Sequence, residues 1–95
     1  MAIVRYGDFE WDSAKAKANV RKHRITFEEA STVFLDDLSV PYKDLDFPDR
    51  IILIGMSLRR RILLVVFAER TDDVVRIISV RRATRQERNV YEEDE

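Results

Sequence analysis

Three stretches in the second half of the chain carry unbroken apolar runs: RIILIGMS, RILLVVFAE and VVRIISVR. Aliphatic and β-branched residues in runs of this length, separated by short polar connections, predict strands joined by hairpins. Runs without alternation predict strands covered on both faces over much of their length. Just before them, Leu38 to Lys43 predicts a short edge strand, because Pro41 lacks the N–H that a central strand needs. Phe9 to Asp12 predicts a first strand or extended lead-in.

Helical signals fill the space between. Asp12 can cap a helix from about Ser13 to His23, in which Ala14, Ala16 and Ala18 are good helix formers. At 3.6 residues per turn, Trp11, Ala14, Ala18 and Ile25 share one side, and Lys15, Asn19, Lys22 and His23 a second. Thr26-Phe27-Glu28-Glu29 forms a capping box, with the Glu29 carboxylate expected to reach back to the cap, and opens a helix ending near Leu35. Thr84-Arg85-Gln86-Glu87 is a second box, opening a last helix that runs into Tyr91. The order β-α-α-β-β-β-β-α predicts an α+β fold with an antiparallel β-sheet of about four strands, two N-terminal helices and one C-terminal helix. A single domain over residues 1–95 is expected, with the acidic tip, residues 92–95, frayed.

Composition narrows the chemistry. The chain has no cysteine and one histidine, which excludes thiolate sites and multi-histidine metal clusters. A carboxylate-only magnesium site stays open, but no compact acidic motif suggests one, and no metal or cofactor is expected. Gly7 and Gly55 are the only glycines, so a glycine-rich phosphate cradle is absent. The longest apolar run, Ile62 to Ala68, is too short to span a bilayer, and the opening residues do not read as a secretory signal. The expected location is the cytoplasm, away from membranes.

A net charge of −1 hides an uneven distribution. Between Arg59 and Arg88 the arginines outnumber Glu69, Asp72, Asp73 and Glu87, whereas KDLDFPD and the terminal EEDE lean acidic. Local potential, not total charge, steers association. Arg81, Arg82, Arg85 and Arg88 fall within eight residues, at a strand exit and a helix start. Guanidinium suits phosphate because its planar donors engage two oxygens at once and stay charged.

Each candidate also has a bland reading. Arg85 and Arg88 could simply solvate a helix, whereas Arg81, at the end of a rigid strand, points to function. His23 supplies an imidazole, the side-chain type suited to proton exchange near neutral pH, or only a helix end. Lys22 could steady a phosphate or face water. Glu87 is a capping residue and a possible base, and Tyr91 offers a phenol or a ring packed on the sheet. Arg59 and Arg61 lie at a hairpin tip, where solvent or nucleic acid could meet them. Arg76, inside a strand, must find a partner or lie at a sheet edge or in a groove. A non-catalytic basic interaction module that binds a partner protein or nucleic acid stays open on these residues alone.

The segments FEWDSAKAKANVRKHRITFEEASTVF, IGMS, RILLVVFAER and VRIISVRRATRQERNVYEE resemble the BrnT family of toxins from bacterial type II toxin–antitoxin systems. The resemblance runs from Phe9 to about Glu93. It implies a RelE-like ribonuclease fold, RNA cleavage that arrests translation, and neutralisation by a BrnA-type antitoxin. The antitoxin would carry a ribbon-helix-helix part, and the toxin–antitoxin hetero-oligomer would bind operator DNA. The matching positions are Lys22 and His23, Arg81, and Glu87 with Arg88. The expected chemistry is metal-independent attack of a ribose 2′-OH on the adjacent phosphate, with Arg81, His23, Lys22, Glu87 and Tyr91 as catalytic candidates. Arg82, Arg85, Arg88, Arg59 and Arg61 are the RNA-binding candidates. Two departures stand out: a glycine commonly follows the KH pair, where this chain has Arg24, and the central hairpin commonly contains glycine, where it has Arg59-Arg60-Arg61.

Overall fold

Gly7 and Asp8 turn the chain back on itself within two residues, Gly7 adopting φ +60°. This joins β1 (Ile3–Tyr6) to β2 (Phe9–Asp12) as an antiparallel hairpin in which Tyr6 faces Phe9. The computed structural model describes residues 2–93. After β2 come α1 (Ser13–His23), α2 (Phe27–Thr32) and a short 3-10 turn, Val33–Leu35. Then follow β3 (Val40–Lys43), β4 (Ile51–Met56), β5 (Ile62–Glu69), β6 (Val75–Arg82) and α3 (Arg85–Glu93).

The strands form one six-stranded sheet in the order β1-β2-β6-β5-β4-β3. The expected meander is present, since β3, β4, β5 and β6 are antiparallel neighbours. The expected sheet of about four antiparallel strands is corrected to six strands in a mixed sheet. The N-terminal hairpin adds to the far edge, where β2 runs parallel to β6 through Phe9–Val75 and Glu10–Arg76. The two helices thus follow two strands and do not open the fold. The apolar part of the second helix continues as the 3-10 turn instead of a full α-helix to Leu35. Of the acidic tip expected to fray, Glu92 and Glu93 lie in α3, and Asp94 and Glu95 lie outside the described residues.

Side-chain alternation divides the sheet into two unequal faces. Leu53, Leu63, Val65 and Phe67 join Trp11, Phe27 and Val33 beneath α1 and α2 in the main core. Trp11 meets Phe27 edge-on at 5.7 Å, and Phe34 meets Phe67 at 4.9 Å, the offset geometry aromatic rings prefer. On the other face Ile54 and Leu64 pack with Tyr91 of α3, flanked by half-buried Ile52 and Val66. A nine-residue helix covers only part of a six-stranded face. That shortfall leaves room for a groove.

Gly55 is required where the chain crosses β4. A Cβ there would lie 2.8 Å from Ser39 Cβ and 2.9 Å from Val33 Cγ1. Asp36, in the same crossing, accepts from the amides of Met56 (2.8 Å) and Leu38 (3.0 Å) and from the Tyr91 hydroxyl (2.6 Å). One carboxylate thus fastens the crossing to β4 and to α3. Among the described residues no helix is long and apolar enough to cross a membrane.

Candidate active site

The upper part of β6 lies beyond its two-residue pairing with β2, because the chain leaves β2 at Asp12 to form α1. The open edge is closed by a side chain. Asn19 Nδ2 donates to Val80 O at 2.9 Å, and Val80 N donates to Asn19 Oδ1 at 3.1 Å. Asn19 Nδ2 also donates to Ile25 O at 3.1 Å, beyond the helix end. A carboxamide has one acceptor and two donors, so it copies the peptide edge of a missing strand and holds the next turn besides. Of the side shared by Trp11, Ala14, Ala18 and Ile25, Trp11 and Ile25 are buried but Ala14 and Ala18 are exposed, and Asn19 is the buried residue of α1. A helix this polar has no apolar stripe to fix its rotation, so the hydrogen bonds to Val80 do so.

With Asn19 buried, Lys22 and His23 in the following turn come to the open face of the sheet. There they line a groove of about 500 Å³ together with Arg81 and Glu87, over a floor that includes Leu64 and Val66. His23 is half-buried and Lys22 exposed. Arg24 ends α1 in the left-handed conformation, φ 60°, with its N–H donating to Val20 O at 2.9 Å. This is the helix ending that a glycine adopts without strain, so the departure from glycine after the KH pair preserves the geometry around His23.

The opposite wall comes from the β6–α3 junction. Thr84 N donates to Glu87 Oε1 at 2.8 Å and Glu87 N to Thr84 Oγ1 at 3.2 Å, the reciprocal box expected from the sequence. Arg81 clasps the same carboxylate with both terminal nitrogens, at 2.8 and 3.0 Å, and donates to Arg82 O at 3.1 Å. The hydrogen bond and charge of Arg81, with the donors of Thr84, outweigh burial and hold the Glu87 carboxyl below the usual range. In return, Glu87 raises the Arg81 pKa further. Arg81 is therefore a cation whose direction is set by a carboxylate held ionised at neutral pH.

The other candidates lie elsewhere. Tyr91 is buried, and its hydroxyl donates to Asp36 in a separate depression beside Met56 and Leu58, so the structure does not bring it to the groove. Arg61 is taken up by Glu29, forming a bidentate pair in which Nε lies 2.9 Å from Oε2. The Glu29 carboxylate does not reach back to its cap. Thr26 Oγ1 accepts from Glu29 N at 3.0 Å, but the carboxylate turns to Arg61 and to the Ser57 hydroxyl at 2.7 Å. Burial pushes the Glu29 pKa up, yet these donors and the Arg61 charge bring it below the ordinary value. Arg82 and Arg88 line a smaller pocket with Arg60, while Arg85 and Arg59 are exposed on α3 and the β4–β5 turn. Arg76 finds its partner in Glu10, with Nε donating to Oε2 at 2.6 Å.

Asn19 and Asp36 are structural determinants that the sequence reading missed, and Glu29 was read only as a cap. Only Asn19 had a signal, as an amide one helical turn before the KH pair on the same predicted side. Among the described residues no group of three or more His, Asp or Glu side chains comes together as metal ligands.

Comparison with known proteins agrees with this architecture. No curated protein sequence matches the chain significantly. The crystal structure of the Brucella abortus ribonuclease toxin BrnT superposes with a TM-score of 0.65 at 23% identity, covering 79% of this chain and 94% of that one. The family model described as the ribonuclease toxin BrnT of type II toxin–antitoxin systems matches residues 11–87, from the buried Trp11 to the glutamate that clasps Arg81. By that match, which takes in Lys22, His23, Arg81 and Glu87, the chain belongs to the BrnT family of ribonuclease toxins.

Proposed function

We propose that the chain is a metal-independent endoribonuclease that cleaves RNA by 2′-OH transesterification and so arrests translation. The observation that carries this reading is the single groove shared by Lys22, His23, Arg81 and Glu87. In-line attack of a ribose 2′-oxygen on the adjacent phosphorus places extra negative charge on the phosphoryl oxygens. A fixed guanidinium there stabilises the transition state more than the ground state. Arg81 takes that role, and Glu87 orients it. Held ionised by its donors, Glu87 is a weak proton acceptor and acts through Arg81. His23 accepts the 2′-OH proton as the O–P bond forms. Lys22 donates to the departing 5′-oxygen, so the products are a 2′,3′-cyclic phosphate and a 5′-OH. Tyr91 and Arg61 serve the fold.

The partners that complete this reading are a BrnA-type antitoxin with a ribbon-helix-helix part, and operator DNA bound by the toxin–antitoxin complex, in the cytoplasm. The test uses purified protein, Arg81→Ala and His23→Ala with RNA in EDTA. The reading expects cleavage by the parent with cyclic-phosphate ends, and losses of roughly 10²–10³-fold for Arg81→Ala and 10²–10⁴-fold for His23→Ala. Equal cleavage by all three, or a strict metal requirement, would overturn it. The rival reading, a basic module that only binds, expects intact RNA from cells expressing the protein.

A further inference from the structure

The β4–β5 turn, residues 57–61, contains a strained arginine. Arg60 adopts φ 63°, a region where a side chain crowds its own backbone and which glycine enters freely. The turn is closed by Arg60 N donating to Ser57 O at 2.9 Å and Ser57 N donating to Arg61 O at 2.9 Å. Glu29 holds it from below through Arg61 and Ser57. A strained conformation in a well-anchored turn asks what its side chain is for.

That side chain lines a pocket of about 240 Å³, together with Arg61, Arg82, Ala83 and Arg88. Arg61 is neutralised by Glu29. Among the described residues Arg60, Arg82 and Arg88 have no ion-pair partner. Three guanidinium groups from the β4–β5 turn, the end of β6 and α3 thus converge with no internal anion. Like charges gathered in this way favour a bound counter-anion. The pocket and the active groove both draw on the β6–α3 junction: Arg82, Ala83 and Arg88 line the one, and Arg81 and Glu87 the other.

We infer that Arg60, Arg82 and Arg88 form a second phosphate subsite, which takes a phosphodiester group of the same RNA strand flanking the one held by Arg81. This rests on the nuclease reading for its ligand. Three residues from separate elements fix the path of the strand around the β6–α3 junction, and Glu29 supports the turn that supplies the first of them.

The test measures binding of a labelled single-stranded oligoribonucleotide across a salt series, in a His23→Ala background that leaves the RNA intact. Arg60→Gly removes the guanidinium and the strain together. Its fold should be at least as stable as its parent's by thermal denaturation, while its RNA affinity falls several-fold. Arg82→Gln and Arg88→Gln should also weaken binding. Each lost contact should reduce the slope of log affinity against log salt by about 0.7. Unchanged affinity and slope in all three variants would overturn the subsite. So would unchanged RNA binding with lost antitoxin neutralisation, which would assign the pocket to an acidic protein segment. A His23-intact protein that fails to cleave RNA, with these slopes preserved, would count against the nuclease reading and not against the subsite.

Discussion

Asn19 and Val80, sixty-one residues apart, exchange two hydrogen bonds in the buried space between α1 and β6. This side-chain imitation of a strand edge sets the rotation of α1, and so the place of Lys22 and His23 relative to Arg81. Asn19→Leu fills similar volume and leaves the Val80 and Ile25 groups unpaired in the interior. Unsatisfied buried groups of this kind cost roughly 1–3 kcal/mol each. The variant should lose at least about 2 kcal/mol in urea unfolding. At temperatures where it remains folded, its RNA cleavage should fall while affinity for single-stranded RNA is retained.

Glu29 and Arg61 form a pair in which the carboxylate side chain is 5% exposed and the guanidinium 20%. Removing one partner strands the other in a poorly solvated place. Glu29→Ala should therefore destabilise the protein by roughly 3–5 kcal/mol, measured by urea or thermal unfolding. The double variant Glu29→Ala/Arg61→Ala should recover part of that loss. If Arg61 instead served RNA alone, Glu29→Ala would leave stability unchanged.

Acid should act on the same carboxylates. Glu29, Asp36 and Glu87 all have folded-state pKa values below their unfolded ones. The unfolded chain therefore binds protons more readily at low pH, and this part of the stability is fully present above the ordinary carboxylate range, about 4. It is lost as pH falls through the depressed values. The melting temperature should stay nearly level from about pH 7 to about pH 5 and fall steeply below about pH 4. In Glu29→Gln, starting from a lower level, the fall should be shallower.

Arg24 at the end of α1 occupies the left-handed region. Relief of about 1–2 kcal/mol of backbone strain, less the greater freedom of an unfolded glycine, about 0.5–1 kcal/mol, predicts a gain near 0.5 kcal/mol for Arg24→Gly. The urea midpoint should rise slightly at constant m-value. RNA cleavage should persist, because the position of His23 depends on the backbone and not on the Arg24 side chain.

Tyr91→Phe separates the two readings of the phenol. The hydrogen bond to Asp36 should be worth about 1.5–3 kcal/mol because its acceptor is charged. The variant should unfold at lower urea concentration and still cleave RNA. Loss of cleavage without loss of stability would return Tyr91 to the chemistry.

The central strands and both capping-box helix starts were legible because apolar runs and Thr-x-x-Glu spacings act locally. β1 was missed although its signal was present: IVRY is followed by Gly7-Asp8, a two-residue hairpin link that glycine's positive φ permits. Its four exposed residues dulled the usual alternation. The parallel pairing of β2 with β6 had no local trace, since it joins Phe9 to Val75 across the whole fold. The side chains near the groove were legible as residue types, but not their company. Glu29 shows the limit: its spacing from Thr26 promised a reciprocal cap, and a distant arginine won its carboxylate because a buried ion needs a charged partner more than a cap needs a second bond.

The β2–β6 seam also bears on the life of the chain during synthesis. Lys22 and His23 leave the ribosome early, but their helix has no edge to lean on until the segment bearing Val80 and Arg81 has followed. A polypeptide that stops short of β6 holds neither the seam nor the cleft, so on the proposed reading the cleavage groove is assembled only once both its walls have been synthesised.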